Sequence, residues 1–333
     1  NRIPLEIVEV FEKHGFVWGG TWYHFDTMHF EYRPELLRCG TRVRAKPKTG
    51  RLWLGGDVHL GDGGGGALEQ LPATLREGAG VVNLEGPVMA RASEGDGVRL
   101  HNAPGALAEL VRAGVRAVGV ANNHEGDGGA EVRRDTPRAV RDAGLKAAGD
   151  GAHVARLEVG GRTVAVTAHD LGQGVPSALA SQLRAAAVGS DLLVATFHVT
   201  GPASYLPTAE LEEAVVIAIA AGARVVAAHG SHAVGPVERR GDVVIAWGLG
   251  NLAFRCDCTQ EVEGLILALE LGEGGALDAT VIPIDAGLAG QPARLSADPG
   301  GVFDLLAALG SSPLERLGAS ARLTYAAPER RSP

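Results

Sequence analysis

From about residue 50 the chain alternates short runs that are apolar at nearly every position with alanine-rich stretches of helical period. The runs are RLWLGG (51–56), GVVNL (80–84), VRAVGVA (115–121), RTVAVTA (162–168), DLLVATF (191–197), ARVVAAH (223–229) and DVVIAWG (242–248). A strand without a polar face has to be covered on both sides, so helices must lie over the sheet and the fold class is an α/β sandwich. Helical segments are expected at 104–113, 134–143, 176–188 and 208–221. Gly160-Gly161, Arg240-Gly241-Asp242 and Glu273-Gly274-Gly275 predict hairpin turns, so part of the pairing is antiparallel and the Arg-Gly-Asp tripeptide serves as a turn. Past about residue 290 the chain turns Gly-, Ala-, Ser- and Pro-rich, which predicts one helix near 301–310 and a loose tail within 291–333.

The first residues are of another kind. Eight of the 15 aromatic residues fall within positions 1–32: Phe11, Phe16, Trp18, Trp22, Tyr23, Phe25, Phe30 and Tyr32. So sharp a break predicts a separate module over 1–40, a polar, basic linker at 41–50 (TRVRAKPKTG), and the main domain over 51–290. With a formal net charge of −8 and no dense Lys/Arg run, binding to nucleic acid through a basic face is not expected. No apolar stretch reaches the ~18–20 residues of a membrane-crossing helix, and no signal-peptide pattern is visible. Three cysteines are too few for a disulfide framework; Cys256 and Cys258 form a C-x-C that could chelate a metal or pair with nothing, and they are read as a small apolar pair near a loop.

Five of the apolar runs end in segments that bear acids and histidines: GGDVHLG (55–61), VVNLEGP (81–87), ANNHEGDGG (121–129), TFHVTG (196–201) and AAHGSH (227–232). Five of the eight histidines outside the aromatic module lie in them, while His101, His153 and His169 do not and are read as structural. The carboxyl ends of strands are where open α/β folds place their sites. Asp57 and His59 begin a turn that lets both reach one ion, Glu85 can bridge two, and Asn123 offers an amide oxygen. His198, His229 and His232 add imidazoles suited to zinc, iron or manganese. The expectation is therefore a site for two divalent transition metals. Two ions about 3.5–4 Å apart can share a hydroxide and clamp a phosphoryl oxygen, the arrangement of phosphoester hydrolysis. His124 is the expected general acid and Asp127 the carboxylate that orients it. The glycine run 63–66 lacks the following Lys of a P-loop and reads as a close-approaching loop beside the metals.

The order and spacing of GGDVHLG, NLEGPV, ANNHEGDGG, AAHGSHAVGPVE and WGLGNLAF resemble the bacterial capsule-synthesis (CapA, poly-γ-glutamate synthesis) family of calcineurin-like metallophosphoesterases, over about 51–271. The resemblance implies a four-layer α-β-β-α sandwich with a dinuclear site. It implies Asp57, His59, Glu85, Asn123, His198, His229 and His232 as ligands, His124 as acid, and Asn251 near the site. The chain departs from the family's H-W-G-x-E-Y pattern at His198-Val199-Thr200-Gly201-Pro202. The segment HGFVWGGTWYHFDTMHFEY (14–32) resembles the carboxy-terminal end of VanY-like D-Ala-D-Ala carboxypeptidases and L-Ala-D-Glu peptidases, with Asp26 three residues before His29. The upstream ligands of that family are missing, so an aromatic packing module without a zinc site of its own is expected. Both resemblances imply the cell envelope. The expected activity is a metal-dependent hydrolase acting on a phosphoester or related bond in an anionic envelope polymer. The alternative is a polymer-handling protein that assists synthesis, anchoring or export without turnover.

Overall fold

The computed structural model describes residues 3–21, 26–33, 50–63, 65–149, 153–256, 258–259, 261–272, 275–288 and 290–325. Trp22, Tyr23, Phe25, linker residues 41–49, Gly64, Glu273, Gly274 and the end of the tail therefore lie outside the described residues. The chain divides into two compact units, Asn1–Lys48 and Thr49–Pro333.

In the first unit, helix α1 (Leu5–Lys13) precedes an antiparallel pair, β1 (Phe16–Trp18) and β2 (Phe30–Tyr32). Its aromatic residues are its core: Phe11 stacks on Phe30 at 4.3 Å between centroids, and Phe16 meets Phe11 and Tyr32 edge-on at 5.6 and 5.2 Å. Asp26 Oδ1 accepts the Met28 N–H at 3.0 Å, a local turn bond. Among the described residues no trio of metal-type side chains converges in this unit.

In the second unit all seven predicted runs become strands. One sheet contains the parallel set β3 (Gly50–His59), β4 (Ala79–Leu84), β5 (Val115–Gly119) and β6 (Lys146–Ala148). The other contains β8 (Arg162–Asp170), β9 (Leu192–His198), β10 (Val225–His229) and β12 (Val243–Ala246), also parallel. Antiparallel neighbours β7 (Ala155–Val159) and β11 (Val237–Arg240) border that second sheet through the two predicted hairpins. In the first sheet β14 (Glu263–Leu271) pairs with the first half of β3, and β13 (Asn251–Phe254) takes over at its second half.

Strand alternation divides the core into three. Leu52, Leu54, Val81, Val164, Val166, Val194 and Val225 pack between the sheets. Their neighbours Trp53 and Val82 face helices α2 (Leu107–Ala113) and α3 (Gly129–Asp142), whereas Ala165, Leu193 and Ala195 face α4 (Leu179–Ala187) and α5 (Ala209–Ala220). Helix, sheet, sheet, helix: the fold is the four-layer α-β-β-α sandwich expected. The predicted helix near 301–310 is present as α6 (Pro299–Ala308). The loose tail is corrected up to residue 325. After α6, Leu314–Leu317 and Ser320–Leu323 form a hairpin whose second strand pairs with Leu277–Asp285, burying Ala321 and Leu323. Glycine and alanine hid that strand because its buried face has only these two apolar side chains.

Candidate metal centre

Each segment singled out in the sequence leaves the carboxyl end of a strand, and both sheets deliver them to the same end of the sandwich. β3 ends in Asp57–His59 and β4 leads to Glu85. β9 ends in His198 and β10 in His229, side by side in register. β13 sets Asn251 opposite Asp57 and Phe254 opposite His59. Two backbone features make the convergence possible. A β-carbon at Gly56 would run into the carbonyl of Gly250, which accepts the Asp57 N–H at 2.9 Å. At Gly230 (φ 83°) and His232 (φ 54°) the chain turns back sharply, and His232 is the only described non-glycine residue with positive φ. Such backbone persists where the surroundings impose it, commonly at functional sites.

The side chains meet in a small buried volume. Ligand atoms of Asp57, Glu85 and His198 lie within 4.8 Å of one another, and all three residues are buried. His229 Nδ1 is 3.4 Å from Asp57 Oδ1, and His232 Nδ1 is 3.5 Å from Asp57 Oδ2. His232 Nε2 and His198 Nε2 stand 3.8 and 3.7 Å from the two oxygens of Glu85. Asp57 is further held by Asn83 Nδ2, donating to Oδ1 at 2.8 Å, and by the Gly230 N–H, donating to Oδ2 at 2.9 Å. Asn251 Oδ1 contacts His232 Nδ1 at 2.9 Å.

Charge is distributed unevenly across these groups. Burial opposes ionisation of Asp57, yet His229, His232 and His198 outweigh it and hold its carboxyl well below the usual carboxylate range. Burial likewise opposes protonation of His198, but Asp170, Glu85 and Asp57 raise it to about 10. The buried carboxylates thus favour a positive charge among them, which a divalent cation can supply. His59 behaves in the opposite way: burial, with His101 and His124 nearby, lowers it to about 4, so it is a neutral imidazole fit to donate a lone pair. The donor set suits metal ions on a second count. Nδ1 of His59, both ring nitrogens of His198 and Nδ1 of His229 are buried with no hydrogen-bond partner, an arrangement that is costly unless something binds there.

His124 and Asp127 are neighbours beside the cluster's segments. His124 Nδ1 lies 2.8 Å from Asp127 Oδ2, which also accepts the Leu100 N–H at 2.7 Å. Asn123 is exposed, and the buried amide of this segment is its neighbour Asn122. Asn122 donates to Asn83 Oδ1 (3.3 Å) and to the Leu84 carbonyl (2.9 Å), and accepts from the Gly86 N–H (3.2 Å). His59 sits at the edge of the cluster, its ring 5.5 Å from Phe254, which also packs on His232 at 5.0 Å. Of the glycine run, Gly63, Gly65 and Gly66 all take positive φ, so the run shapes a tight loop just after His59. His101, read as structural, bonds Asp62 at 2.9 Å. The reading of Cys256 and Cys258 as metal-chelating or unpaired is corrected. They form a disulfide, because one intervening residue leaves their α-carbons 5.1 Å apart, within bridging range.

Sequence reasoning missed four residues that hold the site. Asn83 and Asn122 link the Asp57 and Glu85 loops. Asn102 accepts the Leu60 N–H and donates to the Glu85 carbonyl, both at 2.8 Å. Asp170 stands next to His198 on the neighbouring strand. Asp170 could have been found, since His169-Asp170 ends an apolar run as the other segments do; the asparagines carry no such signal.

Residues 1–32 match the family of D-alanyl-D-alanine carboxypeptidases. No curated protein sequence matches the chain. A crystal structure of a hypothetical protein from Thermus thermophilus superposes with a TM-score of 0.48 at 16% identity, covering 70% of this chain and 97% of that one. Residues 52–255, which contain every converging side chain described above, match the bacterial capsule synthesis proteins, and the chain belongs to that family.

Proposed function

We propose that the chain is a dinuclear metal-dependent hydrolase of the calcineurin-like type, acting on a phosphoester or related bond of an envelope polymer, with manganese, iron or zinc as its metals. The observation that carries this reading is the buried Asp57–Glu85–His198 group, with ring nitrogens of His198 and His229 left without hydrogen-bond partners beside it. Asp57, Glu85, His198, His229 and His232 would hold the ions, with His59 at the edge of the cluster and the exposed Asn123 as the remaining proposed ligands. When bound, such ions supply an acidified water and an electrophilic contact for a phosphoryl oxygen.

The remaining chemistry belongs to the chain. His124, its Nδ1–H given to Asp127, offers Nε2–H to the leaving oxygen. Asp127 is itself pinned by the Leu100 N–H, with Arg99 3.9 Å away, so the imidazole is held in one orientation. Membership of a capsule-synthesis family supports an envelope role. No described helix is long and apolar enough to cross a membrane.

The test is metal content per chain, measured by plasma mass spectrometry on protein purified without added metal, followed by a panel of phosphomonoesters and diesters. About two equivalents of manganese, iron or zinc together with hydrolysis support the reading. A chain that takes up none of these ions after incubation with each refutes it.

A further inference from the structure

We propose that Asp170 is a positioning residue that fixes the ring of His198 so that Nε2, not Nδ1, faces the metal centre. The inference rests on the metal-centre reading above and adds a residue to it.

β8 and β9 run parallel with Asp170 beside His198 in register. Asp170 Oδ1 lies 3.7 Å from His198 Nδ1, and Glu85 Oε2 lies 3.7 Å from Nε2 on the opposite side of the ring. The imidazole is therefore centred between two carboxylates, one belonging to the converging group and one outside it. At 3.7 Å these are ion-pair contacts rather than hydrogen bonds, and neither nitrogen has another partner. A neutral histidine has one N–H and one lone pair. Placing the N–H toward Asp170 leaves the lone pair on Nε2 aimed at Glu85 and Asp57, where an ion would sit. The opposite tautomer would face its lone pair to Asp170, outside the converging group, and point its N–H at the place an ion would occupy.

Asp170 is built to hold still. Its Oδ1 accepts the Gly172 N–H at 3.1 Å, and the next residue, Leu171, donates its N–H to the His198 carbonyl at 2.8 Å. A β-carbon on Gly172 would come within 2.8 Å of Thr200 Oγ1, so this turn is packed against the segment that follows His198. The far side of Asp170 opens on a cleft of about 390 Å³ lined by Glu125, Arg133, Gln173 and Gln182. The carboxylate thus keeps solvent contact and an ordinary charge while backing a buried ring.

The test compares wild type with Asp170→Ala and Asp170→Asn, using full-length protein loaded with zinc. Zinc affinity is read by chelator competition, and the tautomer of His198 by long-range proton–nitrogen NMR with labelled histidine. Expected are an Nδ1–H tautomer at His198 in wild type and a 10–100-fold weaker affinity for one of two ions in Asp170→Ala. Asp170→Asn keeps an acceptor and should lose less than the alanine variant, with the tautomer retained. Equal melting temperatures of the zinc-free proteins would exclude a general folding defect. Two ions bound with wild-type affinity by Asp170→Ala, or an Nε2–H tautomer in wild type, would overturn the inference alone. A wild-type chain that binds no ion would overturn it together with the hydrolase reading.

Discussion

Asp57→Asn changes a single atom type at the most buried point of the centre, and the structure allows its cost to be worked out. Each carboxylate oxygen accepts one hydrogen bond: Oδ1 from Asn83 Nδ2 and Oδ2 from the Gly230 N–H. An asparagine amide offers one acceptor, so in either orientation its NH2 meets a donor head-on. Turning the Asn83 amide does not relieve this, because Asn83 Oδ1 already accepts from Asn122, whose own NH2 also serves the Leu84 carbonyl. One buried donor left unpaired costs about 1–3 kcal/mol. The variant also removes the attraction that holds Asp57 ionised. Because its pKa is depressed in the fold, the ionised form stabilises the native state at neutral pH, and that contribution is lost only as pH falls below the ordinary carboxylate range. Removing one partner of a buried charge group leaves the others uncompensated, which brings the total to about 3–5 kcal/mol for the metal-free protein. Urea unfolding followed by far-ultraviolet circular dichroism in the presence of chelator should show it. With a slope of about 3 kcal/mol per M, the midpoint should fall by about 1–1.7 M and the slope should not change. A variant within about 1 kcal/mol of wild type, or more stable than it, would refute the claim that this carboxylate is satisfied by its neighbours before any metal arrives.

Four further outcomes are expected. His229→Ala should lower the metal content from two equivalents while leaving the far-ultraviolet spectrum intact, because the ring supplies an unpartnered nitrogen rather than core volume; unchanged content would remove His229 from the ligand set. His124→Ala should slow hydrolysis of an alkyl phosphate by about 10²–10⁴-fold and barely affect a nitrophenyl ester, whose leaving group needs no proton; equal losses on both would deny the acid role. Gly56→Ala should leave the protein largely insoluble or destabilised by more than about 3 kcal/mol, since its β-carbon meets the Gly250 carbonyl and not a side chain that can move aside. Gly126→Ala, where a β-carbon finds open space, should be close to neutral in the same thermal melt.

Periodicity and the residues at strand ends were enough to lay out the sandwich and to mark the segments that meet at one end of it. Runs such as VVAAH and LLVATFH have no polar face, so they could only be strands covered on both sides, and each bears its histidine at the end where such strands open. What the sequence could not determine was which amide faces inward: Asn122 and Asn123 are identical in composition, and the choice depends on the Asn83 and Leu84 groups that a neighbouring strand presents. The pairing of Asp170 with His198 likewise exists only because β8 and β9 lie in register, although the two residues are far apart in the chain. The terminal hairpin was hidden for a related reason, since Ala321 and Leu323 become a buried face only against the sheet that receives them. Local pattern decides what each segment is, because periodicity and turn chemistry act over a few residues. Tertiary structure decides which polar groups meet, because a hydrogen-bond partner or a counter-charge is supplied by whichever strand the fold sets alongside.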